Sequence, residues 1–360
     1  MILFAYAARR TLGAVLAALV GVVAIYLAVD FVDNSAGFGG SGWVPAVLEL
    51  YANKAAVVVR MIGPAAMILG AAVAVSTFRK TREYTAMRAM GLGPWRLAVP
   101  VLAVTFGLGV GLVILHDVVG VRAAERAEEI GALRFGRGGD KRRYLAAREP
   151  KRWFRGADGR RIYNLRGTHP EGGFARVTVL EVDPEFNLVR RIDAGRMRAA
   201  GSEWLLEEVE DRTFRPDGTI ALEIAGARRY RFDEPPDAFS VVPGRPSQMR
   251  WNLLLRQIDL RRRLGLPVAD FLLERYNRLA YPFAGLSGAL VAVALALRRN
   301  RKGHVSSALV ESVGVSMVFW GVQGVSWALA LSGRVPPSIA AWAPNAIFLA
   351  GGLLAVRRTG

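Results

Sequence analysis

Apolar residues fall in six long blocks along this chain, near 11–32, 55–78, 97–119, 277–297, 305–331 and 338–356. As a helix, each is long enough to cross a hydrocarbon core of about 30 Å. Three blocks precede a polar middle region and three follow it. Inside that middle region the pattern changes to alternation. KRWFRGADGRRIYNL (151–165) reads as two short strands around Gly156-Ala157-Asp158-Gly159. ARVTVLEVDPEFNLVRRIDA (175–194) alternates, turns at Asp183-Pro184-Glu185-Phe186-Asn187 and alternates again, and RTFRPDGTIALEI (212–224) does the same around Pro216-Asp217-Gly218. Short strands with turn signals at such intervals predict a β-sandwich, jelly roll or open barrel. Helical connectors flank this region. Residues 121–136 continue the third block, and 251–267 are amphipathic, with Leu253, Leu254, Ile258 and Leu264 near one face before Gly265 and Pro267. The expected organisation is spans one to three in 1–119, an inserted all-β unit in 120–276 and spans four to six in 277–360.

Composition sharpens this outline. The 360 residues carry a formal charge of +18, which by itself points to nucleic acid. The apolar blocks, making the chain 52% hydrophobic, redirect that charge to membrane topology and predict no nucleic-acid partner. With the N-terminus inside, thirteen Lys and Arg flank the spans on the inner side and two, Lys54 and Arg334, lie in the short outer loops. This asymmetry predicts cytoplasmic termini and an extracytoplasmic middle region. Arg9 and Arg10 before the first block resemble a signal peptide, but a block running to Asp30 and Asp33 predicts a retained span. With no cysteine in the chain, disulfides and thiolate chemistry are ruled out.

Catalytic patterns are missing. No G-x-x-x-x-G-K-[ST] loop occurs, so no means of ATP hydrolysis is visible. His116, His169 and His304 are far apart, and His116-Asp117 reads as a polar pair at a membrane boundary rather than half a metal site. Gly107, Gly109 and Gly111 lie inside the third span, where small residues favour close helix packing over cofactor binding. The chain is therefore expected to be no enzyme and to hold no cofactor or metal. Charges within spans say more, because ionisable groups in lipid are costly. Arg60 precedes Pro64 in the second span, and Glu311 shares the fifth with Gln323. Asp30 and Asp33 are expected to snorkel, as is Arg60 in the simpler reading. Glu311 fits a packing pair or a functional role equally. Arg122 and Arg126, on the extension of the third span, suit lipid phosphates. The favoured reading, however, is solvent-exposed i, i+4 pairing with Glu125, Glu128 and Glu129 on the same helix.

One link between spans is unusually long. FRKTREYTAMRAMGLGPWR (78–96) has no helix breaker from Phe78 to Met90, then Gly91 just past the helix end and Pro94 to open the next. A helix there places Lys80, Glu83, Tyr84, Met87 and Met90 near one face, with Arg88 close by. Two readings remain open on these residues: an interfacial helix resting on anionic lipid, or a docking helix for a cytoplasmic partner.

The stretch REYTAMRAMGLGPWRL resembles the segment after the second span in the LptF/LptG permease family, the membrane subunits of the bacterial lipopolysaccharide-export ABC transporter. GRVPPSIAAWAPNAIFLAGGLLAVRR (333–358) resembles the last outer loop and span of its G-type member. ERYNRLAYPFAGLSGALVAVALALR (274–298) is similar to its fourth span, and Pro64 sits where the family carries proline. The resemblance covers essentially the whole chain. It implies a polytopic inner-membrane permease with a periplasmic jelly-roll-like domain. It also implies a coupling helix at about 80–90, in which Glu83, Tyr84, Met87, Arg88 and Met90 meet a cytoplasmic ABC ATPase dimer that binds the ATP and Mg. A second permease of the family and periplasmic jelly-roll bridge proteins are the other implied partners. Lipopolysaccharide is the implied cargo, and Arg60, Arg122, Arg126 and Glu311 are candidate contacts for it. The family's G-type first span carries basic residues near its outer end, where this chain has Asp30 and Asp33. Two rival classes share the missing phosphate loop. A mechanotransmission or lipoprotein-releasing ABC subunit usually has four spans, and a receptor or scaffold with an outer β-domain would need no ATPase.

Overall fold

The computed structural model describes residues 2–136, 151–156, 159–167, 173–201, 203–234, 246–263, 266–298 and 305–358. It divides into two compact units. One comprises Met1–Phe135, Pro246–Leu255 and Ala269–Gly360, and the other comprises Gly136–Arg245 and Arg256–Val268.

The first unit is helical, and among the described residues six of its helices are long and apolar enough to cross a membrane. In chain order the helices are α1 (Ile2–Asn34), α2 (Trp43–Lys80), α3 (Glu83–Ala89), α4 (Trp95–Leu115) and α5 (Val121–Ile130). Beyond the inserted strands come α6 (Trp251–Arg263, shared between the units), α7 (Ala269–Ala280), α8 (Ala284–Arg298), α9 (Val305–Leu331) and α10 (Pro337–Arg357). A π-helical turn, His116–Gly120, joins α4 to α5, so the third span continues as a nearly unbroken helix. The fourth span starts at Ala269 rather than near 277, because a tight turn at Tyr281–Phe283 links α7 to α8.

α2 and α8 form the centre. Van der Waals fit rather than hydrophobic transfer drives helix association in lipid, which favours small residues at contacts. A Cβ at Gly285 or Gly288 of α8 would overlap Met67 or Ile68 of α2. Of the three small residues noted in the third span, only Gly109 packs closely, since a Cβ there would lie 3.3 Å from the Phe283 ring, while Gly107 and Gly111 face open space. Pro64 interrupts the backbone ladder of α2, and the Tyr281 hydroxyl donates to the nearby Met61 carbonyl at 2.6 Å.

The second unit contains an antiparallel sheet inserted between the third and fourth spans. Its strands are β1 (Lys151–Arg155), β2 (Arg161–Arg166), β3 (Phe174–Val182), β4 (Leu188–Ala200), β5 (Glu203–Phe214) and β6 (Ile220–Tyr230), paired in sequence order. The three expected hairpins are present. Between β3 and β4, Asp183 accepts the Asn187 backbone N–H at 2.7 Å. Between β5 and β6, Asp217 accepts from Thr219 at 2.9 Å, with Gly218 at positive φ. The Ala157–Asp158 part of the first hairpin turn lies outside the described residues, as do Leu264, Gly265, His169 and His304. One face of the sheet is apolar, built on Tyr163, Val179, Ile192, Met197 and Leu206. A row across four strands, Arg176, Gly195, Glu208 and Gly226, interrupts this alternation. Arg176 and Glu208 take positive φ there, so the inward residues of β5 run Leu206 then Val209 rather than every second position.

Candidate functional site

Two places in the helical unit gather the predicted residues. The first is the link between α2 and α4. The helix expected over 78–90 is divided: α2 ends at Lys80, Arg82 takes φ +60°, and α3 runs from Glu83 to Ala89. No Gly or Pro marks this break. Side-chain bonds hold it instead, with Glu83 accepting from the Thr81 hydroxyl at 2.6 Å and from Arg10 of α1 at 2.7 Å. Burial opposes ionisation of Glu83, but the hydrogen bonds from Thr81 and Arg10 outweigh it and hold the carboxyl below its usual range. The Arg10 guanidinium lies 4.9 Å from the centre of the Phe78 ring.

The predicted common face is also divided. Met87 is only 6% exposed and is packed with Phe78, Leu97 and Val101, with Tyr84 partly buried against the same cluster. These two residues seat α3 on its own bundle instead of presenting it to a partner. Met90, 69% exposed, and Arg88 remain on the surface.

The second place is a cavity of about 740 Å³ among α2, the π-helical turn, α7 and α9. Arg60, His116, Glu274, Asn277, Trp320 and Gln323 are among its lining residues. Glu274, 6% exposed, accepts from Arg278 at 3.0 Å and lies 3.6 Å from Arg60. Arg278 also donates to the Pro246 and Met249 carbonyls. Arg60 is therefore paired inside the bundle rather than snorkelling, because α7 supplies a carboxylate at its depth. Gln323 donates to Asn277 at 2.8 Å, while the buried His116 Nε2 and Gln323 Oε1 have no protein partner. Two guanidinium groups around one carboxylate leave a positive surplus beside a cavity whose surface is mostly apolar.

The other candidates stand apart. Arg126 is exposed and bonds Glu49 of α2 at 2.7 Å and Glu129 at 3.0 Å; Glu49 was not among its expected partners. Arg122 is exposed on α5, and the half-buried Glu311 of α9 is not among the cavity's lining residues. Asp30 accepts from Lys54 and Tyr51 at 2.6 and 2.7 Å instead of snorkelling. Among the described residues no group of three His, Asp or Glu is placed to hold a metal ion.

A model of the lipopolysaccharide export system permease LptF/LptG family matches residues 5–358. The chain belongs to that family. As an LptF/LptG permease it is a multi-pass inner-membrane protein and a transporter subunit rather than a catalytic one, working with other components of the export system. No curated protein matches the chain. Several residues of these two places in the LptF/LptG permease were not singled out from sequence. Glu274 and Arg278 were legible as an i, i+4 acid–base pair in an apolar setting. Arg10 was read only for topology and as part of a signal-peptide-like start, and nothing local ties it to Glu83, 73 residues away.

Proposed function

We propose that this permease draws lipopolysaccharide out of the inner membrane and passes it toward a periplasmic jelly-roll bridge, driven by a separate cytoplasmic ATPase dimer. Both termini then lie in the cytoplasm and the sheet in the periplasm. A second permease of the family, with this chain as the G-type member, completes the transmembrane pair. ATP and Mg are held by the ATPase, and this chain binds neither. The observation that carries the reading is α3, set off from α2 by Arg82, seated through Met87 and Tyr84, and presenting Met90 outward between two spans. An exposed methionine at the end of a short seated helix suits an adaptable apolar groove.

Power from outside the chain is needed because withdrawing acyl chains opposes about 0.8 kcal/mol per buried methylene. The cavity beside Arg60 offers a positive surplus to a phosphorylated headgroup, through charge-assisted hydrogen bonds. Arg122, Arg126 and Glu311 are further candidate contacts, and Arg126 must leave Glu49 and Glu129 to serve. The test is affinity purification of the complete transporter carrying Met90→Glu. Loss of the ATPase with normal permease yield is expected. Retention of the ATPase at wild-type level refutes docking through α3.

A further inference from the structure

α1 is weakly embedded in its own chain. Only Ala7, Thr11 and Val15 are buried among its residues, and 6% of its most apolar window is shielded by the rest of the protein. Near the middle, Val15 lies so close to Gly70 of α2 that a Cβ there would overlap its backbone. Ala7 and Leu3 pack in the cluster around Phe78, and Tyr6 and Phe31 meet the Phe78 and Tyr51 rings of α2; two polar attachments add to these contacts. One is Asp30 to Lys54 and Tyr51, described above. The other is Arg10, which donates to Glu83 at 2.7 Å and to Tyr6 at 2.7 Å while covering the buried Phe78 ring.

The Arg10 hydrogen bond ends on Glu83 of α3, while its ring contact is with Phe78 at the end of α2. Arg82, at positive φ, makes the main chain between α2 and α3 a joint rather than a rigid continuation. The bond from Arg10 to Glu83, together with Met87 packed in the cluster that contains Ala7, is therefore the direct mechanical connection between α3 and α1. An arginine serving only as an interfacial anchor would extend toward lipid phosphates. Arg10 instead lies over an aromatic ring and bonds a carboxylate within the protein.

We propose that Arg10 is a positioning residue that fastens the cytosolic end of α1 to α3, so that movement imposed on α3 is carried into the first span. This rests on the reading of α3 as the ATPase-docking element. Both side chains of the pair are 29% exposed, so the bond adds little to folding. Its loss should impair transmission more than assembly.

The test uses the complete transporter in proteoliposomes. It reads ATPase recovery, ATP turnover and lipopolysaccharide released per ATP. Arg10→Ala should keep the ATPase and its turnover while release per ATP falls about five-fold or more. Arg10→Glu should do the same. Arg10→Lys, which keeps the charge but not the planar fork, should retain full yield and recover part of the release. Normal release by Arg10→Ala overturns the proposal. Loss of the ATPase in Arg10→Ala also overturns it, by assigning Arg10 to docking. Met90→Glu separates the two failures. If it sheds the ATPase while Arg10→Ala releases lipid normally, only the latch is refuted. If it keeps the ATPase, the docking reading and the latch fall together.

Discussion

Two buried carboxylates, Glu274 in the helical unit and Asp211 in the sheet, are both held by arginine but to different ends. Asp211 is 3% exposed and enclosed by donors on adjacent strands: Arg190 grips both oxygens at 2.9 and 2.6 Å, and Tyr230 donates at 2.8 Å. Glu274 has Arg278 at 3.0 Å and Arg60 at 3.6 Å, but it borders a cavity in which neighbouring polar atoms lack protein partners. The first network is saturated and cross-links strands. The second keeps unspent hydrogen-bonding capacity next to open space. A buried charge thus points to function through what its surroundings leave unsatisfied rather than through burial itself.

Removing one partner from each network tests that contrast. Arg278→Met should have the largest effect, since Arg278 is 3% exposed and also holds two loop carbonyls. Leaving Glu274 against a single distant arginine is expected to cost about 3–5 kcal/mol, read as a lowered thermal midpoint in detergent. Asp211→Ala should cost less, about 1–3 kcal/mol, because the stranded Arg190 is 30% exposed and water can reach it. Hydrogen exchange in β4 and β5 reports that loss.

Acid sharpens the same comparison. Burial works against ionisation of Asp211, but Arg190 and Tyr230 outweigh it and hold its carboxyl below the ordinary value of 3.8. A depressed folded value means the network stabilises the sheet above the unfolded value. That stabilisation is lost as pH falls below 3.8. Exchange in β4 and β5 should therefore quicken with acid over that window, and Asp211→Asn should flatten the response. Burial, here reinforced by the Asp211 bond, pushes the Tyr230 phenol up to about 12, so no counterpart transition is expected near neutral pH. The smallest effect belongs to Arg126→Ala. Its partners Glu49 and Glu129 are solvent-exposed, and the thermal midpoint should not move measurably. A clear fall would overturn the view that its bonds are superficial.

Much of the architecture was readable in advance because it follows from one-dimensional patterns. Each apolar block became a span, and each alternating segment with a turn signal became a hairpin. The candidate site was less legible. Gly91 and Pro94 marked the end of the link correctly, but the break at Arg82 carries no breaker residue. It depends on Arg10 and Thr81 reaching Glu83. Met87 shares a helical face with Met90 by spacing, yet Leu97 and Val101 bury one and leave the other exposed. Spacing along a helix states which residues share a face and not which neighbour covers it.

From the sequence alone came the number of spans, the inserted all-β unit and the family likeness, since hydropathy over about 20 residues and period-2 alternation are local properties. Only the tertiary structure joined Arg10 to Glu83, Arg60 to Glu274 and Asp30 to Lys54. Each of these pairs is set by which helices pack together. Charge attraction is indifferent to chain distance, and the fold alone decides which opposite charges come within reach.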